Sequence, residues 1–229
     1  MAGIRTAVIG AGYLGRFHAQ KYAQEPGSQL VAVVDPRPEA RDALARELGV
    51  QAVADHRELL GRVDAVSVVT TTPAHFSIAA DFLGAGAHVL VEKPVTETVE
   101  QARELIARAQ AAGRVLQVGH LERFNPTIVA AEAELSGARF IECQRLAPFK
   151  ERGTDVNVVL DLMIHDIDIV QSIVGRPIES IDAVGTPVFS GAVDIANARL
   201  RFEGGCVADV TASRVSLKTE RRMRVFRDD

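Results

Sequence analysis

Cysteine is scarce in this chain: two in 229 residues, Cys143 and Cys206, far apart in sequence. That excludes a disulfide framework and any cysteine-based metal site, so no metal is expected, and a reduced, cytoplasmic setting is the simplest reading. Long apolar runs are missing too. No stretch holds eighteen uninterrupted apolar residues, so no membrane span is expected. Excess positive charge is also lacking, with 26 Lys and Arg against 30 Asp and Glu and a net charge of −4. A nucleic-acid partner or an anionic membrane surface would need the opposite balance. The N-terminus runs directly into "IRTAVIG" without the layout of a signal peptide. Repeats and low-complexity linkers are absent. What remains, 47% hydrophobic and 24% charged, suits one large globular domain or two small ones.

Two kinds of pattern divide the chain near His120, giving expected domains of 1–120 and 121–229. Before it, short β-branched runs at 4–9, 29–34, 63–69, 87–91 and 114–118, with a weaker one at 50–54, alternate with helical patterns at 13–24, 39–48, 74–83 and 99–112. Near-continuous apolar strands separated by helices predict a parallel sheet covered on both faces. After it come a helix at 126–135, a strand at 139–146 and a helix at 158–175. Next, in "DIANARLRFEGGCVADVTAS", Ala196, Ala198, Leu200 and Phe202 alternate with polar residues up to Gly204-Gly205, the pattern of a half-buried antiparallel hairpin. The fold class expected is α/β: a parallel nucleotide-binding sheet followed by a smaller α+β part with a mainly antiparallel open sheet. The chain stops at "RRMRVFRDD" just as another strand begins, so that sheet is expected to be cut short.

"AVIGAGYLGRFHA" carries Gly10, Gly12 and Gly15 in G-x-G-x-x-G spacing, with Tyr13 and Leu14 between the last two. Gly10 would supply a tight turn, Gly12 a backbone that pyrophosphate can approach, and Gly15 close helix–strand packing. The N–H groups opening the next helix then face the phosphates. A second strand ends at Asp35, twenty residues beyond Gly15, where a carboxylate accepts from the adenosine ribose and repels a 2′-phosphate. NAD is therefore expected ahead of NADP, and Arg37 is the feature that keeps NADP in view. The other strand ends read Thr70-Thr71-Thr72-Pro73, Glu92-Lys93-Pro94 and Gly119-His120. Ligands of open α/β sheets bind at such ends, which places Thr70, Thr72, Pro73, Glu92 and Lys93 among the cofactor candidates. Lys93, fixed at a sheet edge, could hydrogen-bond a substrate hydroxyl; Glu92 would more naturally face the other way.

"VVLDLMIHDIDIVQSIVG" reads as one apolar helix with a polar stripe. At about 100° per residue, Asp161, His165, Asp168 and Ser172 share that stripe. Met163, Ile167, Val170 and Val174 take the opposite side, and Asp166 fits neither. Carboxylates on such a helix need partners, so the stripe should face a hydrogen-bond network or a cleft.

Together the glycine loop, Thr72-Pro73, Glu92-Lys93-Pro94 and Asp161-x-x-x-His165-x-x-Asp168 resemble the Gfo/Idh/MocA oxidoreductase family over residues 4–175. The resemblance implies a Rossmann domain, a second domain whose open sheet serves homo-oligomerisation as dimer or tetramer, and hydride exchange between a nicotinamide cofactor and a sugar or cyclitol hydroxyl. It implies Lys93 as active-site lysine, His165 as general acid/base and Asp161 as the aspartate supporting it. An imidazole suits the alcohol proton. "HLERFNP", "RLAPFKERGTDVNVVLDLMIHDIDIV" and the hairpin segment resemble the branch that oxidises C3 of UDP-N-acetylglucosamine on the route to a diamino-sugar lipid A. For that substrate His120, Arg123, Asn125 and Arg145, with Lys150 and Arg152, are the expected contacts beside Lys93, Asp161 and His165. Two alternatives stay open: a free sugar, inositol or other polyol as substrate, and a non-catalytic NAD-binding regulator on the same fold.

Overall fold

A computed structural model describes residues 3–150 and 156–228, so Arg152 lies outside the described residues. The chain divides into two compact units, Met1–Gly119 and His120–Asp229.

The first unit holds β1 (Ile4–Ile9), α1 (Tyr13–Gln24), β2 (Ser28–Val34), α2 (Pro38–Leu48), β3 (Gln51–Val53), β4 (Ala65–Val68), α3 (Thr72–Gly84), β5 (His88–Glu92), α4 (Val99–Ala112) and β6 (Leu116–Gly119). Its six strands are all parallel, in the order β3-β2-β1-β4-β5-β6. Alternate residues of β1 feed two separate cores. Ala7 and Ile9 pack with Phe82 and Leu83 of α3 and Leu105 of α4, whereas Val8 packs with Ala19 of α1 and Leu44 of α2. Both faces being covered, the inner half of the strand, Ala7 to Ile9, is apolar and buried at every position. The strand expected from 63 starts later, because Asp64 is held by the Arg5 fork at 2.7 and 3.1 Å. Helix α3 starts earlier than expected, since Pro73 sits in its first turn, where no N–H is needed.

The second unit contains α5 (Pro126–Leu135), β7 (Phe140–Leu146), a π-helical turn (Val159–Met163) running into α6 (Ile164–Val174), then β8 (Ile178–Thr186), β9 (Ile195–Phe202), β10 (Val207–Ser213) and β11 (Glu220–Phe226). The sheet order is β11-β7-β10-β9-β8, antiparallel except for the β7–β10 pair. Ala196, Ala198, Leu200 and Phe202 point into a core shared with Ile141, Cys143, Met163 and Val170. The β9–β10 turn runs through Gly204 and Gly205, at φ +87° and +89°, a conformation that side chains with a Cβ resist. Two features differ from expectation. Strand β8 was not foreseen, and the single helix over 158–175 opens with a π turn. Among the described residues no helix is long and apolar enough to cross a membrane.

Candidate active site

At the end of β1 the glycine loop is dictated by contact. Gly10 has φ +106°, and a Cβ there would stand 2.3 Å from the Val69 carbonyl oxygen; one on Gly15 would stand 1.8 Å from that of Gly10. Over Gly12 there is open space, with nothing within 4 Å of a built Cβ. The loops after β1 and β4 thus meet where the strand order reverses, and Gly12 presents bare backbone at the N-terminus of α1. That cradle suits a dinucleotide pyrophosphate. Tyr13 is exposed and Leu14 half-buried in the first turn of α1.

Asp35 closes β2 and is only 5% exposed. Ala11 N–H donates to its Oδ2 (2.9 Å), Arg37 N–H to Oδ1 (2.9 Å), and the Arg37 guanidinium forks onto both oxygens at 3.0 and 3.1 Å. Burial alone would raise the carboxyl, but these donors and the Arg37 charge hold it below the usual carboxylate range.

Of the other strand-end residues, Thr70 is half-buried, Thr72 buried and Pro73 exposed. Glu92 is turned inward. Its Oε1 lies 3.2 Å from Nε2 of His18, its Oε2 accepts from Lys93 N–H at 3.3 Å, and a Cβ on Gly119 would collide with it. This corrects Glu92 from a cofactor contact to a structural residue, because its carboxylate is buried against its own unit. Lys93 follows it, half-buried. Sequence reasoning missed His75, which is 1% exposed and ties two functional loops together: Nδ1 lies 2.9 Å from the Pro94 carbonyl and Nε2 3.1 Å from that of Thr70. Its signal was present, since His75, Ile78, Ala79 and Phe82 form one buried i, i+3, i+4, i+7 stripe of α3.

In the second unit, Asp161 lies in the π turn and His165 in the first turn of α6, both half-buried. The expected stripe does not continue at 100° per residue, because a π turn carries more residues per turn. Asp168 binds the Arg123 fork, with Nε at 3.0 Å, and lies 3.9 Å from Nδ1 of His120. Asp166, the residue that fitted neither face, is buried in a two-pronged pair with Arg145 at 2.9 and 2.8 Å. Arg145 is therefore corrected from a substrate contact to a buried ion-pair partner: 6% exposed, its fork is already committed. Arg123 is similarly occupied, although its side chain is 46% exposed. Asn125 caps α5, its Oδ1 accepting from Thr127 N–H at 3.0 Å. Lys150 is exposed.

A further cluster went unread in the sequence. Asp194, fully buried, accepts from three successive backbone N–H groups (Val188, Phe189, Ser190), from the Ser190 hydroxyl and from Arg214. Arg214 also donates to the Val156 carbonyl at 2.8 Å, fixing the approach to the π turn. Burial would raise the Asp194 carboxyl, yet this ring of donors drives it far below the ordinary range. The pairing joins residues twenty apart, so only tertiary structure reveals it.

Comparison with known proteins adds the following. A family profile described as an oxidoreductase family with NAD-binding Rossmann fold (GFO_IDH_MocA) matches residues 4–120, and a GFO/IDH/MocA C-terminal domain profile matches 99–229. A UDP-N-acetylglucosamine 3-dehydrogenase from Acidithiobacillus ferrooxidans is 44% identical over 230 residues, spanning 100% of this chain and 73% of that protein. A solved structure of that name from the same organism matches with a TM-score of 0.92 at 43% identity, covering 100% of this chain and 76% of the other. An NAD(+) scyllo-inositol 2-dehydrogenase from Bacillus subtilis is 31% identical over 232 residues, covering 93% of this chain and 68% of that one.

Proposed function

The chain belongs to the Gfo/Idh/MocA oxidoreductase family, and from that premise we propose that it uses NAD to oxidise the C3 hydroxyl of UDP-N-acetylglucosamine to a ketone. The observation that carries the substrate is the 44% identity, over the whole chain, to a dehydrogenase named for it. Bound NAD supplies the hydride acceptor. His165 takes the hydroxyl proton, a contribution of about 10²–10⁴-fold for a positioned base. Asp161, four residues earlier, orients the ring and favours its charged form. Lys93 donates to the hydroxyl oxygen and steadies the charge developing there. With Arg145 engaged by Asp166, Lys150 is left among the described residues as the candidate for the diphosphate. The same reading places the protein in the cytoplasm, on a route to lipid A. It also makes the chain a homo-oligomer through the second sheet, in keeping with the exposed Ile181 and Val184 of β8.

NADH formation from NAD and UDP-N-acetylglucosamine tests this, with an aminotransferase added to draw off the ketone. Turnover with inositol alone would shift the substrate to the polyols. Tight NAD binding without turnover on either would favour a regulator. Lys93→Ala and His165→Ala should each abolish turnover and leave NAD affinity within about fivefold, since neither removes the glycine cradle. Loss of NAD binding in His165→Ala would contradict its proposed role toward the substrate.

A further inference from the structure

Asp161 stands in the π turn and His165 just beyond it, so the shape of that turn decides how the two line up. At about 100° per residue, an α-helix sets residues four apart about 40° out of line. Closing a turn over five residues lessens the advance per residue, and here Ile164 N–H donates to the Val159 carbonyl, five positions back. The π turn therefore brings Asp161 and His165 closer to one line along the helix than an α turn would.

The turn is held at its lead-in. Asn157 Oδ1 accepts from the N–H groups of Val159 at 3.0 Å and Leu160 at 3.1 Å. Val158 N–H donates to the Val193 carbonyl at 2.9 Å, and Arg214 Nη1 donates to the Val156 carbonyl at 2.8 Å. Arg214 is itself fixed, with Nε 2.8 Å from Asp194 Oδ1 and Nη2 3.1 Å from Ser190 Oγ. The side chains of Arg214 and Asp194 are 5% and 0% exposed, and three successive backbone N–H groups hold Asp194 in turn. A buried ion pair often adds nothing to stability over apolar side chains. What this one supplies is a fixed place for the Val156 carbonyl.

We propose that Arg214 and Asn157 are positioning residues for the base: through the backbone of 156–160 they hold the π turn, and the π turn sets Asp161 in line with His165. This rests on the reading of His165 as the base and Asp161 as its support. In this role neither residue touches the reacting atoms, so the effect falls on the chemical step. A displacement of about 1 Å, caused far from the chemistry, can cost about 10²-fold in rate.

Hydrogen exchange and steady-state kinetics on the full chain test this together. In Asn157→Ala and in Arg214→Lys, the amides of Val158, Val159 and Leu160 should exchange at least about tenfold faster, while Val210 of β10 keeps its protection. In both variants kcat should fall at least about tenfold, with KM for NAD within about threefold. Asn157→Asp keeps the accepting oxygen and should restore both readouts. In an Asp161→Ala background, Asn157→Ala should cost less than about twofold more, because the residue it positions is gone. A merely structural brace would give the same fold loss in either background, and that result overturns the proposal. Unchanged exchange at 158–160 also overturns it, as does unchanged kcat in both variants. Asn157→Ala leaves the buried pair intact and carries the test alone if Arg214→Lys fails to fold. An unaltered, folded chain without turnover would instead overturn the dehydrogenase reading, and the exchange rates would still decide whether Asn157 and Arg214 hold the turn.

Discussion

Arg145 and Asp166 show how one pair can look like a binding site in sequence and belong to the core in structure. Their side chains are 7% and 9% exposed, and Glu122 adds a third charge 3.7 Å from Nη1 of Arg145. Burial pulls the arginine's pKa down, but the hydrogen bonds and charge of Asp166 more than offset this and raise it. Two residues earlier on β7, burial, reinforced by the Asp166 charge, pushes the Cys143 thiol up to about 12. Removing one member of a buried pair leaves the other charge in a poor solvent. Asp166→Ala should therefore cost on the order of 3–5 kcal/mol, read as a lower denaturant midpoint at unchanged slope. The paired replacement Arg145→Met with Asp166→Leu should recover most of that loss, because both charges leave together. A cost below about 1 kcal/mol for Asp166→Ala would mean the pair is solvated, and Arg145 would return to the substrate candidates.

The glycine loop separates two demands on one element. Gly15 serves packing: its Cβ position falls 1.8 Å from a backbone oxygen, which cannot move like a side chain. Gly15→Ala must displace α1 from β1, so both thermal midpoint and NADH affinity should fall. Gly12, at φ −76° with open space above it, carries no such packing demand, and its proposed role is toward the ligand. Gly12→Ala should leave the midpoint near that of the unaltered protein and still weaken NADH by about tenfold or more, since the methyl fills the cradle. Equal stability losses would refute this division. Elements of this kind were legible because local and tertiary signals agree. Helix α4 runs between a Thr98 cap, whose side chain accepts from Gln101 N–H, and a left-handed Gly113, and its bounds follow from those residues. Strand β8 had no such agreement. Ile181 and Val184 are 62% and 69% exposed, so no buried face imposes a period of two on its sequence. The π turn was illegible for another reason. Asn157 Oδ1 accepts from the N–H groups of both Val159 and Leu160, and Arg214 holds the carbonyl of Val156, contacts that spacing alone does not specify. In the same way, the site residues could be named from motifs, but not the partners that occupy them. Asp35, Arg123 and Arg145 were all read as available for ligands, since a sequence gives charges without distances.

At the scale of the whole chain, the proposed chemistry is split between units that each build their own core. The six-stranded sheet, both of its covering layers, the glycine loop, Asp35, His75 and Lys93 all lie within Met1–Gly119. Asp161 and His165 lie within His120–Asp229, on a helix anchored to its own sheet through Met163 and Val170. A unit of that size with a closed set of hydrophobic contacts can fold alone. Expressed as residues 1–119, the first unit should therefore unfold cooperatively and bind NADH within about tenfold of the full chain, because the glycine cradle is complete in it. It should show no turnover, lacking the proposed base. A folded fragment that fails to bind NADH would mean that dinucleotide affinity is not carried by the first unit alone, and the assignment of the glycine cradle as its main determinant would fall with it. A fragment that binds normally would assign cofactor affinity to the first unit and leave the proposed proton transfer to His165 of the second.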